Sequence, residues 1–253
     1  MSTFNLQALK ESFDKDGYVF IPGFLSKDEV QVLNENVRRF ISEGLPTMLA
    51  NHYFYEDRND PSTLKQMQDL EKYDAWFKTL AMASKYEELA KTLLGEAVEC
   101  KTVEYFNKPP KIGKPTPPHQ DGHYFMIEPQ QALTMWLALE KVDEENGCVK
   151  YIKGSHKKGI RPHSRTTTLG FSQGIVDFGT EEDKKNEIGF PANPGDLLVH
   201  HSLTIHRAGA NTTADRTRKA MGLIYWGKSA KEDKETKEKY VQQLTKEPDK
   251  GTV

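Results

Sequence analysis

The chain has 253 residues, 36% of them apolar and 28% charged, and its 35 Lys plus Arg nearly balance its 37 Asp plus Glu. That balance supplies no global field to draw the protein to nucleic acid or to an anionic membrane, so its partners must be argued from a local site. Its two cysteines, Cys100 and Cys148, form neither a disulfide scaffold nor a zinc knuckle and read as reduced thiols.

The opening MSTFNLQALKESFDKDG carries acids and lacks an apolar h-region, and the best apolar run, Leu133 to Leu139, is too short to span a bilayer. The expectation is a soluble, cytoplasmic protein. Leu6, Leu9 and Phe13 have helical spacing, and Asp16-Gly17 ends that helix before a short extended segment, Tyr18 to Ile21. A second helix opens where Ser26 precedes Glu29 in a capping-box pattern, carries the apolar stripe Val30, Leu33, Val37, Phe40 and Ile41, and stops at Gly44. Residues 51–74 are polar and aromatic without clear periodicity, after which Tyr86, Leu89, Ala90, Leu93 and Leu94 mark a helix ended by Gly95. Residues 1–95 are thus predicted to be mostly helical.

Beyond Gly95 the pattern becomes short extended runs punctuated by Gly and Pro: Val98 to Phe106, Leu133 to Leu139, Cys148 to Ile152, Leu197 to His201 and Ala220 to Trp226. Residues 96–227 therefore read as a β-sandwich or closed barrel. Residues 228–253 read as a charged surface helix fraying into a disordered end. No fixed-period repeat or linker divides the chain, so one domain is expected.

In PTPPHQDGHYF, His119 and Asp121 are two apart, and on an extended strand both side chains leave the same face. LLVHHSLTIHRAG supplies a distant second histidine, His206, and two histidines with one carboxylate are the facial set that leaves positions open on iron(II). His-x-Asp alone is equally well explained as a hydrogen-bonded pair on a strand. Arg218, twelve residues after His206 at the start of the next predicted strand, adds a guanidinium able to grip a carboxylate with two prongs.

With TMWLALEKVDEENGCVKYIKGSH and NPGDLLVHH between these residues, the N-terminal DGYVFIPGFLSKDEV, the KPP of Lys108 to Pro110 and the RKA of Arg218 to Ala220, the sequence resembles the phytanoyl-CoA dioxygenase family of Fe(II)/2-oxoglutarate-dependent oxygenases. The resemblance runs from about Asp16 to Trp226. It implies a mainly β fold with flanking α-helices, a double-stranded β-helix or jelly-roll, using Fe(II), 2-oxoglutarate and O2 to oxidise a small organic substrate with release of succinate and CO2. On the same resemblance His119, Asp121 and His206 are the iron ligands and Arg218 anchors the far carboxylate of 2-oxoglutarate. Trp136 lines the cosubstrate pocket, or is an ordinary core aromatic. Thr102 and Phe106 fall where relatives contact the cosubstrate. Ala208 stands where several relatives have a serine that helps hold it. Asp121 occupies the position that related halogenases give to a small residue.

For the substrate, alternation puts Glu104 on the face of Thr102 and Phe106, and Phe125 follows the metal strand. GIRPHSRTTTLGFSQG offers His163 and Arg165, which with Lys108 would hold an anionic group on a small polar metabolite; a solvated loop is the competing account. The segments Tyr53 to Thr63 and Arg161 to Gly174 are candidate lids. His200 and His201 adjoin the metal set as supporting or packing residues. Two other functions remain open at this point, a cupin-like metal-dependent isomerase or epimerase, which has no need of Arg218, and a non-catalytic sensor of 2-oxoglutarate or metal. Nothing in the sequence specifies an oligomeric state.

Overall fold

A computed structural model describes residues 4–238 except 83, 169 and 170. The chain begins with α1 (Leu6–Asp16), β1 (Tyr18–Ile21) and α2 (Lys27–Glu43). The Asn5 side chain caps α1, and Gly17 ends it at φ 86°, in the left-handed region that glycine adopts without strain. The predicted capping box forms: Ser26 Oγ accepts from Glu29 N while Ser26 N donates to Glu29 Oε2. Next come β2 (Tyr53–Tyr55), β3 (Leu64–Met67), α3 (Leu70–Tyr73), α4 (Ala75–Ala81) and α5 (Lys85–Leu94). The front third is therefore not simply helical. The aperiodic stretch 51–74 contributes the edge strand β2 and, between it and β4, the strand β3, which is buried on both faces and so shows no alternation.

The second part holds β4 (Val98–Lys108), β5 (Thr116–His119), α6 (Asp121–Phe125), β6 (Ile127–Glu128), β7 (Ala132–Ala138) and β8 (Val149–Ile152). It continues through β9 (His163–Thr168), β10 (Phe171–Ile175), α7 (Glu181–Asn186), β11 (Glu187–Phe190), β12 (Leu197–His201), β13 (His206–Ala208), β14 (Arg218–Gly227) and β15 (Lys231–Glu232). The candidate lid at 161–174 is thus largely the hairpin β9–β10, with side chains described only outside 167–172. In the tail, β15 pairs with β6, and residues 239–253, with the expected fraying end, lie outside the described residues.

Two antiparallel sheets face each other in a jelly-roll arrangement: seven strands in the order β1-β12-β7-β14-β4-β3-β2, and four in the order β11-β8-β13-β5. No strand pairing joins the two sheets into a closed barrel among the described residues. Alternation gives the large sheet two functions. Leu133, Met135 and Leu137 of β7, Leu197 and Val199 of β12, and Met221, Leu223 and Tyr225 of β14 pack outward against Phe13, Leu33, Val37, Phe40, Leu89 and Leu93 of the helices. Their neighbours Trp136, Ala138, Leu198 and Ala220 turn inward onto Val149 and Tyr151 of the small sheet. No described helix is long and apolar enough to cross a membrane.

Leu137 has no exposed surface and sits between sheet and helices. Leu137→Ala is expected to cost about 2–5 kcal/mol in denaturant unfolding. By contrast Ile188→Ala, at a side chain 39% exposed on β11, is expected to stay within about 0.5 kcal/mol.

Candidate active site

The inward face of the large sheet, the small sheet and α6 enclose a cavity of about 230 Å³. His119 ends β5, and the chain then turns: Gln120 is extended and Asp121 opens α6, so the carboxylate is not on a strand as the two-residue spacing had suggested. The geometry survives because Gln120 keeps the alternation. Its own amide is buried the other way, donating to the Gly159 and Leu203 carbonyls. His206 begins β13 and is the cross-strand partner of His119, which sets the two imidazoles side by side with centroids 4.1 Å apart.

Ligand atoms of His119, Asp121 and His206 all lie within 4.8 Å of one another. Asp121 Oδ1 is 3.5 Å from both His119 Nε2 and His206 Nε2. Both histidines face a backbone carbonyl with Nδ1, His119 at 2.8 Å from Pro117 O and His206 at 3.0 Å from Thr204 O. A carbonyl can only accept, so the proton sits on Nδ1 and the Nε2 lone pair is left for a metal. The second carboxylate oxygen is tied off: Asp121 Oδ2 accepts from Thr134 Oγ1 at 2.5 Å and meets His200 Nε2 at 3.0 Å, while His200 Nδ1 is 2.9 Å from Tyr151 Oη. Burial alone would raise the Asp121 pKa, but the His206, His119 and His200 imidazoles around it hold it well below the usual carboxylate range. Burial, with His119 and His200 adding to it, drives His206 well below the ordinary imidazole value, which keeps it in the neutral, ligating form. This donor set fits a divalent iron with open positions.

Arg218 opens β14 beside Lys108, its partner at the end of β4. Its guanidinium is buried, lies 5.3 Å from the Trp136 ring and has an Nε without a partner among the described residues. Burial lowers its pKa to about 10, so it stays cationic near neutrality. An orphaned buried guanidinium in the cavity wall fits the carboxylate of a dicarboxylic acid. Lys108 is not the exposed loop residue its lysine-rich neighbourhood suggests. It is buried, its Nζ donates to the Lys114 carbonyl and to Thr116 Oγ1, and burial followed by Arg218 and Lys65 pushes its pKa well down.

Of the other expected residues, Trp136, Phe106, Glu104 and Phe125 border the cavity, as does Ala208. Thr102 does not border it. It keeps the face of Glu104 and Phe106, paired in register with the lining residue Ile224, but its hydroxyl is turned to Asp69 N, from which it accepts at 3.2 Å. His163 and Arg165 also lie outside the lining, on β9. His163 is fixed as a neutral ring: Nδ1 lies 2.7 Å from Arg161 O, Nε2 accepts from Gln120 N at 3.2 Å, and the ring stacks on His123. The sequence pattern gives no sign of Lys65, Gln66 and Gln68, polar residues that read as surface yet form one wall. Thr134 was legible by its parity with Trp136. Gly222 faces the cavity from mid-β14, where a Cβ would lie 2.7 Å from Phe106 Cε2.

Fold and site together define a 2-oxoglutarate-dependent non-haem iron dioxygenase. Residues 13–220 match the phytanoyl-CoA dioxygenase (PhyH) family, and the chain belongs to it. It is 26% identical over 238 residues to the peroxisomal phytanoyl-CoA dioxygenase of Rattus norvegicus, covering 88% of this chain and 68% of that protein. It is 26% identical over 214 residues to a probable alpha-ketoglutarate-dependent hypophosphite dioxygenase of Stutzerimonas stutzeri, covering 83% of this chain and 74% of that one. Among solved structures it resembles the nogalamycin-biosynthesis epimerase SnoN, in complex with Fe3+, alpha ketoglutarate and nogalamycin RO, with TM-score 0.72 and 26% identity over 89% of this chain and 84% of that one.

Burial, and then His123, pushes the His163 pKa down to about 4. The unfolded state therefore binds more protons than the folded state between about pH 6.5 and 4, and stability falls as pH falls through that window. Denaturant midpoints at pH 5 and pH 7 should differ more in the wild type than in His163→Asn.

Proposed function

We propose that the protein oxidises a small polar organic molecule, hydroxylating it while 2-oxoglutarate is converted to succinate and CO2. The observation that carries this is a His119, Asp121 and His206 set sharing one cavity with an unpaired, buried Arg218. Iron(II) with 2-oxoglutarate and O2 supplies the oxidising power; the chain supplies binding, orientation and dryness.

His119, His206 and Asp121 Oδ1 would hold the metal. Thr134 and His200 occupy Asp121 Oδ2, which keeps that carboxylate to one ligand oxygen and leaves coordination positions for the reactants. Arg218 would grip the distal carboxylate of 2-oxoglutarate, with the Trp136 ring holding the guanidinium in place. The Ala208 methyl offers that carboxylate no further donor, which increases the share carried by Arg218. Phe106, Phe125 and Ile224 line the rest and exclude water from the reacting centre.

The similarity to SnoN favours a second reading, epimerisation. The two readings differ in product: hydroxylation places an atom from labelled O2 in the product, and epimerisation does not.

His119→Ala, Asp121→Ala and His206→Ala are each expected to abolish tight iron binding and turnover, as read by metal content after anaerobic reconstitution. Arg218→Ala is expected to weaken 2-oxoglutarate binding roughly 30-fold to several thousand-fold, the cost of removing one member of a buried charge pair. Arg216→Ala should change it little, because Arg216 already pairs with Asp143 and Glu145 at the surface. Titration of the metal-loaded protein with 2-oxoglutarate checks both, and equal effects at the two arginines would identify the wrong anchor.

A further inference from the structure

The cavity has an acidic wall to which the cosubstrate assigns no task. Glu104 projects inward from β4, and its Oε2 accepts a hydrogen bond from Gln66 Nε2 at 3.1 Å. No ion pair to Glu104 and no hydrogen bond to its Oε1 occurs among the described residues, and Gln66 Oε1 is buried without a partner. The nearby lysines are turned elsewhere. Lys65 Nζ lies 3.1 Å from Glu56 Oε1, and Lys108 Nζ is engaged by the Lys114 carbonyl and Thr116.

A carboxylate on the wall of a deep cavity without a cation is unfavourable; it either takes up a proton or gains a partner. Burial pushes the Glu104 carboxyl up to about 8, with Asp121, Asp69 and Glu71 adding to the rise and the Gln66 hydrogen bond opposing it. A site that presents a carboxylate oxygen, Glu104 Oε1, to the cavity without a donor from the described residues is complementary to a ligand that brings one.

The position suits a small molecule. Glu104 pairs with Gly222, which pairs on its other side with Trp136. Glu104 thus stands two strands, roughly 10 Å, from Trp136 on the same face of the sheet. Thr134, the partner of Asp121, is the next inward-facing residue of β7 before Trp136. Phe106, the next inward-facing residue of β4, and Phe125 also border the cavity, and aromatic faces favour a cation between them.

We infer that Glu104, with the Gln66 amide, is the substrate-recognition subsite and that it takes a protonated primary amine. The substrate is then a small amine whose ammonium group donates to Glu104 Oε1 while a carbon several bonds away lies at the metal set. This reverses the anionic substrate expected from His163 and Arg165, neither of which borders the cavity. It rests on the oxygenase reading above.

The test uses the full chain loaded with iron(II) and 2-oxoglutarate. Ethanolamine, putrescine and β-alanine are compared with their amine-free counterparts ethylene glycol, butanediol and propionate, by anaerobic melting shift and by aerobic succinate release. In the wild type, at least one amine should raise the melting temperature and stimulate succinate release while its counterpart does neither. In Glu104→Gln that amine should bind roughly 30-fold or more weakly, the cost of losing a buried charge partner. Metal content and 2-oxoglutarate affinity, measured on the same variant, should match the wild type, which separates loss of recognition from misfolding. No response to any amine, an equal response to the counterparts, or undiminished amine binding by Glu104→Gln overturns the inference. A wild type that binds neither iron nor 2-oxoglutarate overturns the oxygenase reading and this inference with it.

Discussion

Successive side chains of a strand must leave opposite faces, and the seven-stranded sheet commits one face to the helices and the other to the chemistry. Met135, Val199, Leu223 and Tyr105 face the helices; Thr134, Trp136, His200, Arg218, Lys108 and Glu104 face the cavity. A slip of one residue in β14 would turn Arg218 toward the helices and Leu223 toward the cavity. The broad apolar packing of the outer face therefore fixes the register on which the polar inner face depends. Folding free energy gained far from the site is what holds the site in place.

Much of this was legible in the sequence because it follows from short-range rules. The capping box at Ser26 and Glu29, the helix ends at Gly17 and Gly95 and the apolar runs of β7, β12 and β14 all express local propensity. The set His119, Asp121 and His206 came from motif spacing and resemblance, although the strand assumed to carry Asp121 ends at His119. The rest depends on long-range pairing. Polar β3 becomes a strand only because β4 is there to pair with it, and Lys108 is buried only because β14 lies alongside. Thr102, placed by counting twos, shares the face of Glu104 and Phe106 yet misses the cavity, because parity fixes a side chain's face and not how far along the strand the cavity extends.

The charges in the cavity are arranged by how completely each is answered. Asp121 is surrounded by imidazoles and a hydroxyl, so its carboxylate is held ionised and oriented whether or not a substrate is present. Arg218 and Glu104 are the opposite case, a cation and an acid whose hydrogen-bonding capacity is only partly used by the protein itself. Buried polar groups left incompletely satisfied reduce the stability of the empty protein, and ligands that complete them gain correspondingly. The fold thus carries its recognition chemistry as local destabilisation within a well-packed frame.

Gly222 gives this arrangement an evolutionary consequence. Phe106 lies against the space where a Cβ would stand, so the shape of the cavity floor is written jointly by two positions on neighbouring strands. An alanine at 222 would meet the Phe106 ring before it met any ligand, and a smaller residue at 106 would open a hole that only a larger residue at 222 could fill. Descendants of this sequence that move to a differently shaped substrate are therefore constrained to change the two sites as a pair, and 106 and 222 should covary across lineages even where the metal set does not change.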